Sequence, residues 1–95
     1  MNKYELALIL DPTLVDEAKE ERLKKVSDLL ERFGGKIEKL DDWGKRRLAY
    51  EIDKKNEGFY YFIYFDSESS APKEIESRLR IMDDVLRYLI IRCEA

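Results

Sequence analysis

The feature that most constrains this chain is a run of seven consecutive β-formers, Phe59-Tyr60-Tyr61-Phe62-Ile63-Tyr64-Phe65. Aromatic and β-branched residues suit a pleated surface, and a run with no polar alternate fits a strand covered on both faces. The rest of the chain must therefore supply two covers. Residues 4–10 read as a second central strand: Tyr4, Leu6, Leu8 and Leu10 fall on one face, while Ala7 and Ile9 keep the other apolar. At 95 residues the chain fits one domain over 1–95, with one core.

The remaining elements follow from spacing. Asp11-Pro12-Thr13 breaks the first strand, and Thr13 with Asp16 resembles a capping arrangement for a helix over 14–33. In that helix Leu23, Val26, Leu30 and Phe33 recur at intervals of three and four, Leu29 widens the stripe, and Gly34-Gly35 supplies a left-handed stop. Residues 36–40 and 45–52 read as two stretches of a long second strand, joined through Asp41-Asp42-Trp43-Gly44, where the glycine marks a bulge or bend. Residues 53–58 are polar and turn-like. Pro72 opens a shorter helix whose inward stripe is Ile75, Leu79 and Met82. A last strand over 85–93 places Leu86, Tyr88 and Ile90 on one face and Val85, Leu89 and Ile91 on the other.

The order βαββαβ is that of an α+β, ferredoxin-like fold: a four-stranded antiparallel sheet with two helices on one face. With Tyr4, Leu6 and Leu8 inward, the open face carries Glu5, Ala7, Ile9, Tyr60, Phe62, Tyr64, Arg87, Leu89 and Ile91. A sheet face left to solvent should alternate to polar, and contiguous apolar area marks an interaction site. Ile9, Tyr60, Phe62, Tyr64, Leu89 and Ile91 are accordingly the expected interface with a protein partner.

Composition removes most other chemistry. The chain has no His and a single Cys, Cys93, which leaves no structural zinc set, no intrachain disulfide and no common general base. No enzymatic activity, metal, cofactor or small-molecule substrate is expected. Glu20 and Glu21 stand four residues before Lys24 and Lys25, as Asp28 does before Arg32, the pattern of a solvated helix face. Asp41-Asp42 and Asp83-Asp84 lack further oxygen ligands at loop spacing and read as turn or helix ends. Asp11-Pro12-Thr13 after the first strand would repel the phosphate of a ferredoxin-like phosphatase substrate. The first residues lack a basic region followed by an apolar run, and no window approaches eighteen apolar residues, so a cytoplasmic protein without a membrane span is expected.

Two binding chemistries remain. Eighteen Lys and Arg against twenty-one Asp and Glu give a net charge of −3, so any RNA contact must come from a local patch. Lys45-Arg46-Arg47, with Lys3, Arg87 and Arg92, could hold phosphates, or could guard a sheet edge. The stretch Glu57-Gly58-Phe59-Tyr60-Tyr61-Phe62-Ile63-Tyr64 resembles the base-stacking motif of RNA-recognition domains, with Glu57 in place of the basic residue and no companion aromatic motif on the first strand. Such a strand can equally be core and protein interface. A free-standing domain that stacks single-stranded RNA and a regulatory domain that dimerises through its sheet are the alternative functions. Trp43 reads as a cover for the sheet edge, and Cys93 as a small apolar residue.

Several stretches together resemble the family of bacterial small-subunit ribosomal protein number six, over essentially the whole chain. They are Tyr4-Glu5, Asp11-Pro12, Phe33-Gly34-Gly35-Lys36-Ile37, Gly44-Lys45-Arg46-Arg47-Leu48-Ala49-Tyr50-Glu51-Ile52, and Leu79-Arg80-Ile81-Met82-Asp83-Asp84-Val85-Leu86-Arg87. The resemblance implies a ribosomal protein that binds the central domain of small-subunit rRNA together with ribosomal protein number eighteen, a basic partner that supplies much of the positive field. It adds Arg80 to Lys3, Lys45, Arg46, Arg47, Arg87 and Arg92 as expected RNA contacts. Two departures stand out. Asp53 follows Ile52 where the family more often has a basic or small residue, which weighs against an RNA contact there. The chain ends at Ala95, short of the extended tail of many members, which weighs against a tail-mediated partner contact.

Overall fold

The computed structural model describes residues 1–52 and 54–93, so Asp53 and the end at Ala95 lie outside the described residues. Along the chain run β1 (Asn2–Leu10), α1 (Asp16–Arg32), β2 (Lys36–Ile52), β3 (Lys55–Ser67), α2 (Ala71–Leu79) and β4 (Val85–Cys93). The strands form one antiparallel sheet in the order β2-β3-β1-β4, the ferredoxin-like arrangement. The two apolar runs are its central strands. Their registers set Leu6 opposite Ile63 and Leu8 opposite Tyr61, so the inward residues of both meet on one side.

That side holds the core. Leu6, Leu10, Ile63, Val26, Leu30, Ile75 and Leu79 are wholly buried between sheet and helices, with Tyr4 stacked on Phe65 at 5.6 Å. Pro72 opens α2, where its missing N–H is no loss. The stop of α1 is a Schellman motif: Gly34 N–H donates to Glu31 O at 3.0 Å and Gly35 N–H to Leu30 O at 2.8 Å, with Gly34 at φ +83°.

Three local expectations are corrected. Thr13 does not cap α1: its hydroxyl and N–H both donate to Asp11 Oδ1, at 2.6 and 2.8 Å, and α1 begins at Asp16 after Val15. The Asp11 carboxylate ties Thr13 into a local turn before the helix, and α1 starts too late in the chain for the Thr13 oxygen to accept from its first-turn N–H groups. The stretch 53–58 is not all turn, because β3 already begins at Lys55, paired with Ile52, and the reversal uses Lys54 at φ +64°. On β4 a register shift opposite Ile9 and Leu10 makes Leu86 the inserted residue. Val85 consequently packs against the core, and Leu86 points its Cδ1 toward Gly58 beside Ile9, the reverse of the simple alternation.

Candidate protein and nucleic-acid interface

The registers fix the open face as three cross-strand rows. Lys39, Tyr64, Glu5 and Ile91 form the first; Asp41, Phe62, Ala7 and Leu89 the second; Gly44, Tyr60, Ile9 and Arg87 the third. Every residue expected at the partner interface lies here. Leu89 is 52% exposed and Ile91 46%, while Tyr60, Phe62 and Tyr64 are half-buried. Ile9 is buried, because Leu48, Ala49 and Ile52 of the far part of β2 line, with Ile9, Tyr60 and Arg87, a recess of about 70 Å³. Burial also pushes the Tyr64 phenol above its ordinary pKa, with Glu5 and Asp41 adding to the effect, so it stays a neutral hydroxyl in this face.

Trp43 was expected at the sheet edge and belongs to this face instead. A register shift between Asp42 and Gly44 inserts it into β2, with Gly44 at φ +72° and its N–H donating to Asp42 Oδ1 at 2.8 Å. The indole then lies on Phe62, ring centroids 4.7 Å apart, and stays 52% exposed. Arg46 donates from Nε to the Trp43 carbonyl at 3.0 Å and holds its guanidinium 5.7 Å from the indole. A cation, an indole and a phenyl ring thus form one ledge beside the apolar rows. The sequence signal was the glycine after a lone tryptophan, which marks the bulge but not the face it selects.

The seven expected RNA contacts do not form one patch. Arg46 and Arg87 flank the apolar rows on the open face. Lys3 shares that face and is held by Glu38 at 2.8 Å and Asp66 at 3.6 Å. The hydrogen bond to Glu38, with the nearby charges of Asp66 and Glu38, raises its pKa, and the same bond lowers that of Glu38. Lys45 pairs in register with the inward Phe59, its ammonium 5.4 Å from that ring, so it belongs to the helix side. Arg47 is opposite Glu57 on the far hairpin and is exposed. Arg80 reaches the Tyr88 hydroxyl at 3.4 Å, and Arg92 donates to Asn2 Oδ1 at 2.8 Å. Spacing along a strand gives alternation, but bulges and partners decide where each head group ends.

A concavity of about 610 Å³ lies on the helix side between α1 and the turn before β4. Arg22, Lys25, Arg32 and Arg78 line it together with Asp28, Asp83 and Asp84, and Arg22 is spent on Asp84 at 2.7 Å, so it offers no field of one sign. No cluster of His, Cys, Asp or Glu suited to a metal ion occurs among the described residues, and among them no helix is long and apolar enough to cross a membrane.

Comparison with known proteins agrees with this geometry. The family model for ribosomal protein S6 matches residues 3–92. The small ribosomal subunit protein bS6 of Clostridium acetobutylicum is 46% identical over 94 residues, 99% of each chain, and that of Fusobacterium nucleatum is 42% identical over 97% of this chain and 98% of its own. A crystal structure of 30S ribosomal protein S6 from Thermotoga maritima superimposes with a TM-score of 0.92 at 33% identity, covering 97% of this chain and 87% of that one. An open, partly apolar sheet face is what a member of an assembly offers to its neighbours. The chain belongs to the ribosomal protein S6 family, non-enzymatic components of the small subunit of the cytoplasmic ribosome.

Proposed function

We propose that this protein binds the central domain of small-subunit rRNA jointly with ribosomal protein number eighteen, the open face seating that protein and a few arginines at its rim meeting phosphate. The observation that carries the reading is the apolar part of the second row, Phe62, Ala7 and Leu89 beyond Asp41, continuous with the Trp43 indole and bordered by Arg46 and Arg87. Apolar anchors of this kind suit a protein surface, with aromatic and arginine side chains at its centre. Phosphate needs only reachable cations, and these stand beside the apolar rows.

A net charge of −3 makes the chain a weak RNA ligand alone. The affinity therefore comes from the pair. Gel shifts on a central-domain rRNA fragment, with each protein alone and with both, should show weak binding by this chain and cooperative binding by the two together. Tight, sequence-tolerant binding of single-stranded RNA by this chain alone would instead support base stacking on Tyr60, Phe62 and Trp43.

A further inference from the structure

The β2–β3 hairpin runs on past the end of its neighbour. β1 stops at Leu10, opposite Phe59, whereas β3 begins at Lys55, opposite Ile52. Gly58 marks the crossing, since a Cβ there would stand 2.5 Å from Ile9 Cγ2 and 3.2 Å from Leu10 O. Beyond it β3 has β2 as its one neighbour, and the register shift between Arg47 and Ile52 interrupts even that ladder. A two-stranded ribbon is marginal by itself in water, so its fastenings decide where it lies. On the open face Leu48 is buried beside Ile9, in the recess that Arg87 also lines. At the turn Lys55 Nζ meets Asp11 Oδ2 at 3.2 Å.

Asp11 is a fixed post for that ammonium. Its Oδ1 takes both Thr13 donors, and its N–H donates to Asp84 O at 2.9 Å, while the Asp84 carboxylate holds Arg22 of α1 at 2.7 Å. Closing the pair therefore orders one long side chain, Lys55, and with the Asp11 and Lys55 side chains 17% and 33% exposed the attraction is screened less than in a pair at the open surface. The candidate phosphate ligands stand along the same arm: Arg46 opposite Gly58, Arg47 opposite Glu57, and Arg87 in the recess with Leu48. We propose that the Asp11–Lys55 pair is a positioning latch for rRNA binding, holding the hairpin where Arg47 and Arg87 reach phosphate together while neither latch residue touches RNA. The inference rests on the reading that arginines at the rim of the open face meet phosphate, and it names what places them. A ribbon free to swing presents Arg47 in only a fraction of its conformations, and affinity falls by that fraction.

Two variants separate a latch from an ordinary charge. Asp11→Asn removes a negative charge from a chain of −3, so electrostatics alone predicts tighter RNA binding, most of all if the freed Lys55 meets phosphate; the latch predicts weaker binding. Gel shifts across a salt series use the full chain and ribosomal protein number eighteen on a central-domain rRNA fragment. Affinity should be lower by about fivefold or more for Asp11→Asn and for Lys55→Met, at the parental salt slope, with the double variant no worse than either single one. Backbone order parameters of each labelled variant should fall at residues 55–57 and stay parental at Leu6 and Ile63, which distinguishes a released hairpin from a loosened fold. An Asp11→Asn chain that binds as tightly as the parent or tighter, a Lys55→Met slope flatter by a whole phosphate contact, or unchanged order at 55–57 overturns the latch while the rim arginines stand. If the parent pair itself does not bind the rRNA, the reading beneath the latch fails and the latch falls with it.

Discussion

Trp43 rests on Phe62 with ring centroids 4.7 Å apart and planes inclined by 60°. Tilted aromatic pairs of this kind add about 0.5–1.5 kcal/mol beyond the area they bury. Arg46 completes the arrangement by holding the Trp43 carbonyl and lying 5.7 Å from the indole. The ledge is local to β2 and β3 and lies outside the core, so it can change without threatening the fold.

Because Trp43 is the chain's single tryptophan and is half exposed, its emission reports on the open face. Docking of the protein partner there should shift the emission to shorter wavelength and shield it from iodide. An unchanged spectrum in a complex that cosediments would place the partner elsewhere. Trp43→Ala should cost about 1 kcal/mol or less of stability, yet weaken the complex by about 2 kcal/mol or more.

The cations should separate by their existing partners. Arg46→Ala should weaken RNA binding by the assembled pair and flatten its salt dependence by about 0.7–0.9 log units for the lost phosphate contact. Lys3→Ala should leave the slope unchanged, since Glu38 and Asp66 already hold that ammonium. Binding measured across a salt series decides both, and equal slopes for parent and Arg46→Ala would remove Arg46 from the RNA contact.

How far the sequence exposes this arrangement depends on whether burial imprints a period. On β1 and β3 it does: Tyr4, Leu6, Leu8 and Leu10 lie inward as their alternation demands, and Phe59, Tyr61, Ile63 and Phe65 face them. The start of β4 hides its parity, because both Val85 and Leu86 are aliphatic and the inserted residue between the two faces carries no glycine to mark it. Residues 55–57 lie beside β2 alone and are exposed or half-exposed, and Gly58 has no room for a side chain against Ile9 and Leu10, so no apolar alternation marks the strand there and it reads as a turn. The cations were the least legible. A long side chain on a strand is steered by whichever carboxylate, hydroxyl or ring lies within reach, and for Lys3, Arg80 and Arg92 these came from distant positions.

Asp11 gives the fold an acid-sensitive joint between β1, α1 and the β2–β3 hairpin. Burial works against its ionisation, but the Thr13 hydroxyl and N–H and the Lys55 ammonium at 3.2 Å outweigh it, and its pKa lies below the usual aspartate value. A lowered folded pKa means that the contribution is fully present above the unfolded value, about 4, and is lost as the pH falls through the folded value. Asp11→Asn should therefore be less stable than the parent at neutral pH, with the gap narrowing below about pH 4. Urea unfolding at a series of pH values measures it, and a gap independent of pH would show that charge is not what matters there.

Adjacent positions on β3 give the sharpest separation of fold from interface. Ile63 is wholly buried opposite Leu6, and Phe62 is half-buried opposite Ala7 on the other face, under Trp43. Ile63→Ala removes methylenes from the core and leaves a cavity, at a cost of about 2–5 kcal/mol. For a chain of this size that lowers Tm by roughly 10–20 °C or more, a large fraction of a stability on the order of 5–15 kcal/mol. Phe62→Ala exposes the underside of Trp43 and opens no closed cavity, so the free chain should melt within a few degrees of the parent, at about 1 kcal/mol. In the complex the same truncation removes an anchor from the middle of the apolar row, and the protein partner should bind about thirtyfold more weakly or worse, the loss of a 2 kcal/mol hot spot. Melting curves and partner titrations on the two variants give opposite patterns if the open face is the docking surface: fold lost and binding surface kept for Ile63→Ala at low temperature, fold kept and binding lost for Phe62→Ala. A Phe62→Ala chain that melts normally and binds its partner with parental affinity would remove the second row from the interface, and with it the proposed seat.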